Sequence, residues 1–344
     1  MKFSLFVHME RGDLKKPHRE LFLELEELVL TAEQAGFKTA WIGEHHGMDF
    51  TIAPNPFLQL AYLGAKTDRI RLGTGNVVAP FWHPIKLAGE AAMTDIATNG
   101  RLDLGIARGA YVFEYERLVP GLDAWAAGQR MREIIPAVKN LWAGDYAHEG
   151  EFWSFPKTTS SPKPMHGEVP IWVAARDPNS HDFAVTSGCN VQVTPLAAGD
   201  AEVAVLMDRF KTAVAAHPEV KRPQIMLLQH TFVADGVNDT ASLVEDLSKF
   251  YGLFGAWFAN KRPVTQAIMA PLTQEERAAM PQFAPDKIAQ NLVIGEPDAV
   301  IARLKGYEAL GFDQFSIWID SGISHARKKK SLDLFIRHVM PAFA

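Results

Sequence analysis

Three titratable side chains stand in a row at Glu44-His45-His46, directly after the short apolar run Thr39-Ala40-Trp41-Ile42. An extended chain sends successive side chains to opposite sides, so the carboxylate and the two imidazoles leave this segment in alternating directions. A histidine beside a carboxylate is suited to move protons near neutral pH. The same residues serve equally well to satisfy buried polar groups. No metal is expected, because adjacent histidines on a strand face opposite ways and no HxH, HExxH or cysteine partner accompanies them.

Further along, Gly73-Thr74-Gly75-Asn76 ends another apolar run and leads to His83-Pro84. Two glycines around Thr74 permit a strained or cis peptide against which a flat ring could lie, although a plain bulge uses the same residues. The spacing is not GxGxxG, which disfavours a dinucleotide fold. Ala107-Arg108-Gly109 places an arginine where it could hold a phosphate in bidentate fashion or form a surface ion pair. Ala175-Arg176-Asp177-Pro178-Asn179-Ser180 gathers free N–H groups and short polar side chains at a helix start. That is either a second part of an anion site or an ordinary N-cap.

The elements that must position these residues alternate in period. Phe3, Leu5 and Val7 alternate as a strand, and Leu21, Leu25, Leu28, Val29 and Ala32 recur at helical spacing before Gly36. Strands are expected at 39–42, 70–72, 101–106, 169–174, 190–193, 224–234 and 314–320. Helices are expected from Pro54/Pro56, at 84–97, 178–187, 200–216, 239–258, 298–310 and 324–339. Strands separated by helices must pair in parallel. Eight such units predict an α/β fold, a (β/α)8 TIM barrel with loop insertions at the C-terminal face, where this architecture keeps its active sites. One domain is expected over 1–344. The irregular stretches 142–168 and 260–290 are read as loops over the barrel mouth, the second as a lid insertion.

With 35 Lys+Arg against 40 Asp+Glu the net charge is −5, so a nucleic-acid-coating surface is excluded. Apolar residues make up 47% and charged ones 22% of the chain, ordinary values for a globular protein. No apolar run approaches the roughly 18 residues of a membrane span. Cys189 is the single cysteine, which with the absence of an export signal points to a cytoplasmic protein. The run Arg327-Lys328-Lys329-Lys330 reads as a solvated face.

The blocks at 35–46 (AGFKTAWIGEHH), 69–84 (RIRLGTGNVVAPFWHP) and 99–109 (NGRLDLGIARG), with GFDQFSIWID and MPAF near the end, resemble the bacterial luciferase-like, flavin-dependent monooxygenase family over nearly the whole chain. The resemblance implies reduced FMN at the C-terminal face, supplied by a separate NAD(P)H-dependent reductase. It also implies oxygenation of a small organic substrate by O2 through a flavin peroxide, in a homodimer. His45, with Glu44 and His83, would be catalytic, and Thr74-Gly75 would form the family's non-prolyl cis peptide. Thr74, Gly75, Asn76, Ala107, Arg108, Ala175, Arg176, Asp177, Asn179 and Ser180 would bind the cofactor. Where the light-emitting subunit has a cysteine and a glutamate this chain has Ala107 and Ala175, so light emission is not implied. Two alternatives remain: hydride transfer with the deazaflavin F420 on the same barrel, and flavin binding without catalysis.

Overall fold

The computed structural model describes residues 1–343. Eight parallel strands form its centre: β1 (Lys2–Phe6), β2 (Thr39–Ile42), β3 (Arg71–Thr74), β4 (Leu102–Ala107), β5 (Ile171–Ala174), β6 (Asn190–Val193), β7 (Ile225–Val233) and β8 (Gln314–Trp318). Each pairs with the next, and β8 returns to β1 in the register Lys2↔Gln314 through Phe6↔Trp318. The ring is closed, so these eight strands leave no open sheet edge. The expected (β/α)8 barrel is the observed fold.

Packing inside the ring follows from a few large side chains. Trp41 and Trp172 are both fully buried and meet edge to face at 5.4 Å. Trp41 stands opposite Gly73 in the β2–β3 register. A Cβ at Gly73 would lie 2.2 Å from the indole, so glycine there is the space Trp41 occupies. Truncating such an aromatic leaves a cavity that costs about 3–5 kcal/mol. Outside, helix α1 (His18–Gln34) buries the stripe Leu21, Leu25, Leu28, Val29 and Ala32 that its spacing predicts.

Between β4 and β5 lie two helices for which the sequence pattern gives no assignment, Val112–Leu118 and Ala124–Ala143. Gly128 and Pro136 interrupt the second pattern with residues that ordinarily break helices. The stretch 142–168 contains a hairpin, Tyr146–Glu149 with Ser154–Thr158. The stretch 260–290 also has structure of its own: a two-residue hairpin, Val264–Thr265 with Ile268–Met269, and the short helices Gln274–Ala278 and Pro285–Asn291. A further short strand, Val293–Gly295, adds in parallel to the outer end of β7. No helix among the described residues is long and apolar enough to cross a membrane.

Candidate active site

The C-terminal ends of the barrel strands open into a cleft of about 580 Å³, within the roughly 300–1,000 Å³ usual for small-molecule sites. Phe6, Val78, Met226 and Leu228 give it apolar walls, and His8 and His45 stand within it.

The two imidazoles of the Glu44-His45-His46 row divide as strand alternation requires, and Glu44 lines both the cleft and an outer hollow. His45 lines the cleft, and its Nδ1 lies 3.1 Å from Oε2 of the buried Glu114. The other Glu114 oxygen accepts the His46 N–H at 2.7 Å. Glu44 is clamped: the Val78 N–H donates to it at 2.7 Å, the Trp82 indole at 2.9 Å, and the His46 Nε2 lies 2.7 Å away. Burial disfavours the His46 imidazolium, but the Glu44 hydrogen bond and the charges of Glu44 and Glu114 outweigh it and raise its pKa. His46 and His83 line that outer hollow, of about 490 Å³. The His83 Nδ1 accepts the Ile85 N–H at 3.2 Å, capping the helix Pro84–Ala97, and burial lowers its pKa. The structure therefore does not bring His83 to the cleft.

The cleft floor is Gly75-Asn76, and the non-prolyl cis peptide lies between these two residues instead of at Thr74-Gly75. The reason is pairing: Thr74 is still in register with Ile42, and the Gly75 N–H donates to the Ile42 carbonyl at 2.6 Å. The Thr74-Gly75 peptide thus belongs to the ladder, and the first peptide free of it follows Gly75. Thr74 is fully buried behind the floor, its hydroxyl donating to the Gly105 carbonyl at 2.7 Å.

At the mouth, Ala107, Arg108, Ala175 and Arg176 line the cleft together. Both guanidiniums are exposed. Arg108 donates to the Ala124 carbonyl at 2.8 Å, and Arg176 lies 3.2 Å from Glu202. Asp177, Asn179 and Ser180 are not in the cleft lining. The Asp177 carboxylate accepts the Ser180 N–H at 3.0 Å, and the Ser180 hydroxyl donates to the Asp177 carbonyl at 2.7 Å. The helix start is thus already capped, and by an acid that repels a second anion.

These residues fit a flavin by their chemistry. Apolar walls suit a flat ring, the two guanidiniums at the mouth suit a phosphate tail, and one buried donor awaits a partner: the Gln192 Nε2 in the cleft has none, while its Oε1 accepts from Asn76 Nδ2. Gln192, His8, Tyr115 and Glu114 are functional candidates the sequence pattern does not single out. Two signals were available: a carboxylate set among Tyr111, Val112, Phe113 and Tyr115, and a histidine following β1 as His45 follows β2. No group of three or more His, Cys, Asp or Glu side chains among the described residues is arranged to hold a metal ion.

A family profile described as luciferase-like monooxygenase matches residues 1–314. The chain is 60% identical to the oxygenase component of a flavin-dependent trigonelline monooxygenase of Acinetobacter baylyi, covering 100% of this chain and 96% of the relative. A monooxygenase from Streptomyces bottropensis superposes with a TM-score of 0.82 at 25% identity, covering 100% of both chains. The oxygenating constituent of 3,6-diketocamphane monooxygenase from Pseudomonas putida, solved with FMN, gives 0.78 at 20% identity, covering 99% and 98%; at that identity the likeness is one of fold.

Proposed function

The chain belongs to the luciferase-like monooxygenase family, and from that premise we propose that it is the oxygenase component of a flavin-dependent monooxygenase acting on an N-methylated pyridine carboxylate of the trigonelline type. The observation that carries this reading is the 60% identity, along the whole chain, to an oxygenase named for that substrate. The cofactor proposed is reduced FMN, delivered by a separate NAD(P)H-dependent reductase. The two arginines at the mouth support a phosphorylated flavin, and the same premise supports a reductase partner.

Bound in the cleft, the flavin would supply two-electron activation of O2, chemistry no side chain provides. The protein's part is binding, orientation and proton handling. Arg108 and Arg176 would hold the phosphate, and the unpartnered Gln192 amide would be free to donate to the flavin. Phe6, Val78, Met226 and Leu228 keep water away. His45, with its Nδ1 side fixed by Glu114, leaves the rest of its ring to exchange a proton at the cleft. Glu44, which lines both the cleft and the outer hollow, holds Val78, Trp82 and His46 in place.

The segment 260–290 is proposed as a lid. Its supports lie on the helix Val237–Ala259: the Leu272 N–H donates to the Gly252 carbonyl, and Phe283 stacks on Tyr251 at 5.0 Å. Met280 and Phe283 line a hollow of about 450 Å³ that shares Arg176, Leu196 and Phe258 with the cleft. Proteolysis within 260–290 is expected to be rapid in the free protein and slowed by FMN with substrate, and equal rates would remove the lid. The exposed Leu58, Met93 and Ile96, on neighbouring helices, support a homodimer, and a lone buried Cys189 supports a cytoplasmic setting.

The test is reconstitution. Protein, an NADH-driven flavin reductase, FMN and trigonelline should show trigonelline-dependent O2 uptake and loss of trigonelline by chromatography. Binding of reduced F420 in preference to FMN would favour hydride transfer. FMN binding with no substrate-dependent O2 uptake, across a panel of pyridine carboxylates, would leave a carrier.

A further inference from the structure

A second cavity, of about 710 Å³, lies behind the cleft. Glu10, Asp49, Phe250, Trp257 and Ser321 are among the residues lining it. The wall between the two is thin and acidic. His8 lines the cleft and Glu10 lines the second cavity. The His8 Nδ1 stands 3.4 Å from the Glu10 Oε1, and both side chains are buried. On its other side the His8 ring meets that of His45, centroid to centroid at 4.6 Å. Three acid–base groups therefore stand in file from the cleft to the second cavity: His45, His8, Glu10.

The surroundings leave one Glu10 oxygen for this contact. Its Oε2 accepts the Ser321 N–H, while the N–H groups of Glu10 and His8 both donate to the Asp320 Oδ2, at 3.0 and 3.1 Å. Asp320 has its own buried counter-ion in Lys328. Glu10 is thus a carboxyl in excess of the buried cation, which is costly, and an amide would accept the Ser321 bond just as well. The excess acid needs a reason, and its position supplies one.

We propose that His8 and Glu10 form a proton relay through this wall, connecting His45 in the cleft with solvent entering the second cavity. The proposal rests on His45 exchanging a proton during the proposed reaction. A proton received from the His45 side binds one nitrogen of His8. The proton on the other nitrogen, Nδ1, passes to the Glu10 Oε1, and Glu10 releases one to solvent. The reverse sequence delivers a proton, only N–H and O–H bonds change, and no net charge stays in the wall. Burial, with the nearby His45 and His230, holds the His8 pKa well below its usual value, and burial together with Asp320 raises that of Glu10 despite Lys328. The remaining titratable groups facing the pair are the phenols of Tyr111 and Tyr251, and Glu114 behind His45.

Two measurements test the relay. In the complex with oxidised FMN, which closes the cleft side, the ring N–H of His8 is followed by ¹⁵N NMR. Glu10→Gln, which keeps the Ser321 bond but carries no proton, should slow its exchange with solvent about tenfold or more and leave FMN affinity unchanged. Turnover should fall about 10- to 100-fold, on the scale of a lost acid–base group. In Glu10→Ala, acetate entering the second cavity should restore a good part of that loss with saturation, and should not rescue His45→Ala. Unchanged His8 exchange in Glu10→Gln, or no response of Glu10→Ala to acetate, overturns the relay. If wild-type protein oxygenates no pyridine carboxylate, the substrate reading fails while the NMR exchange still decides the relay. Should Glu10→Gln fail to fold, Glu10→Asp, with its carboxyl drawn back by one methylene, carries the same comparison.

Discussion

His45 and His46 are neighbours in the chain, each tied to a buried carboxylate, yet they face different spaces. His45, held by Glu114, looks into the cleft beside His8 and Tyr111. His46, held by Glu44, looks into the outer hollow against Phe81. A histidine–carboxylate pair is therefore no mark of a reacting centre by itself. The alternation of an extended chain turns the His45 ring to the cleft and the His46 ring to the outer hollow, while Glu44 lines both and also gathers the Trp82 indole and the Val78 N–H. The difference lies in what each ring can reach.

The sharpest way to break this contrast is to remove each ring in turn. His45→Ala should lower turnover by roughly 100-fold or more with FMN affinity nearly unchanged, the usual scale for a positioned acid or base. His46→Ala should change turnover by a few-fold at most. Steady-state kinetics with FMN titrations check both, and equal losses would mean that the two pairs act as one unit.

The second effect concerns the mouth of the cleft. Arg108→Ala should weaken FMN binding by about 1.5–3 kcal/mol, the worth of a hydrogen bond to a charged group. Riboflavin, which lacks the phosphate, should bind the variant and the parent alike. Equal weakening of both ligands would place Arg108 at the ring, or leave it as a prop for Ala124, whose carbonyl it already meets.

Acid stability separates the two sides by sign. Burial holds His8 well below its usual pKa and His230 at about 3, so both resist protonation when folded. Their contributions are complete above pH 6.5, the unfolded value, and are lost as pH falls from there towards the folded values. His46 has a raised pKa, so its contribution is present below pH 6.5 and is lost as pH rises through the raised value. Replacing His230 by Phe should flatten the fall in stability between pH 6.5 and 4 by up to about 1.4 kcal/mol per pH unit, read by denaturant titration at each pH. An unchanged slope would show that His230 is reached by protons without unfolding.

Much of this was legible in the sequence. The strand at Asn190–Val193 and the helix at Asp200–Ala216 lie at the boundaries their periodicity predicts. His45, Asn76 and Arg108 reach the cleft because residues just after barrel strands must do so. The exceptions share a cause. Glu114, Gln192, Glu10 and Asp320 acquire their roles from partners in other elements, and spacing along one element carries no record of those partners. The cis peptide falls one residue later than expected because the β2–β3 register, a pairing between strands, extends through Thr74. The helix start at Asp177–Ser180 has the composition of an anion cradle, but its N–H was already given to Asp177.

The smallest effect tests the outer hollow itself. His83 follows the glycine-rich floor in sequence, and the family resemblance made it a catalytic candidate, but its Nδ1 is spent on the Ile85 N–H at the start of the helix Pro84–Ala97. An imidazole that accepts a backbone bond at one nitrogen and lies outside the cleft lining is expected to act on stability. Losing an N-cap acceptor costs about 1 kcal/mol, which for a chain of this size lowers Tm by only about 2 °C. His83→Ala should show that shift with turnover within twofold of the parent. His83→Asn, whose short side chain is itself a strong capping group, should recover the stability and leave turnover untouched. A loss of turnover in both variants, with Tm unchanged in the asparagine form, would mean that an imidazole is needed in this hollow for the reaction. His46 and Glu44 would then have to be counted with the reacting groups, and the contrast between the two histidine pairs would be reversed.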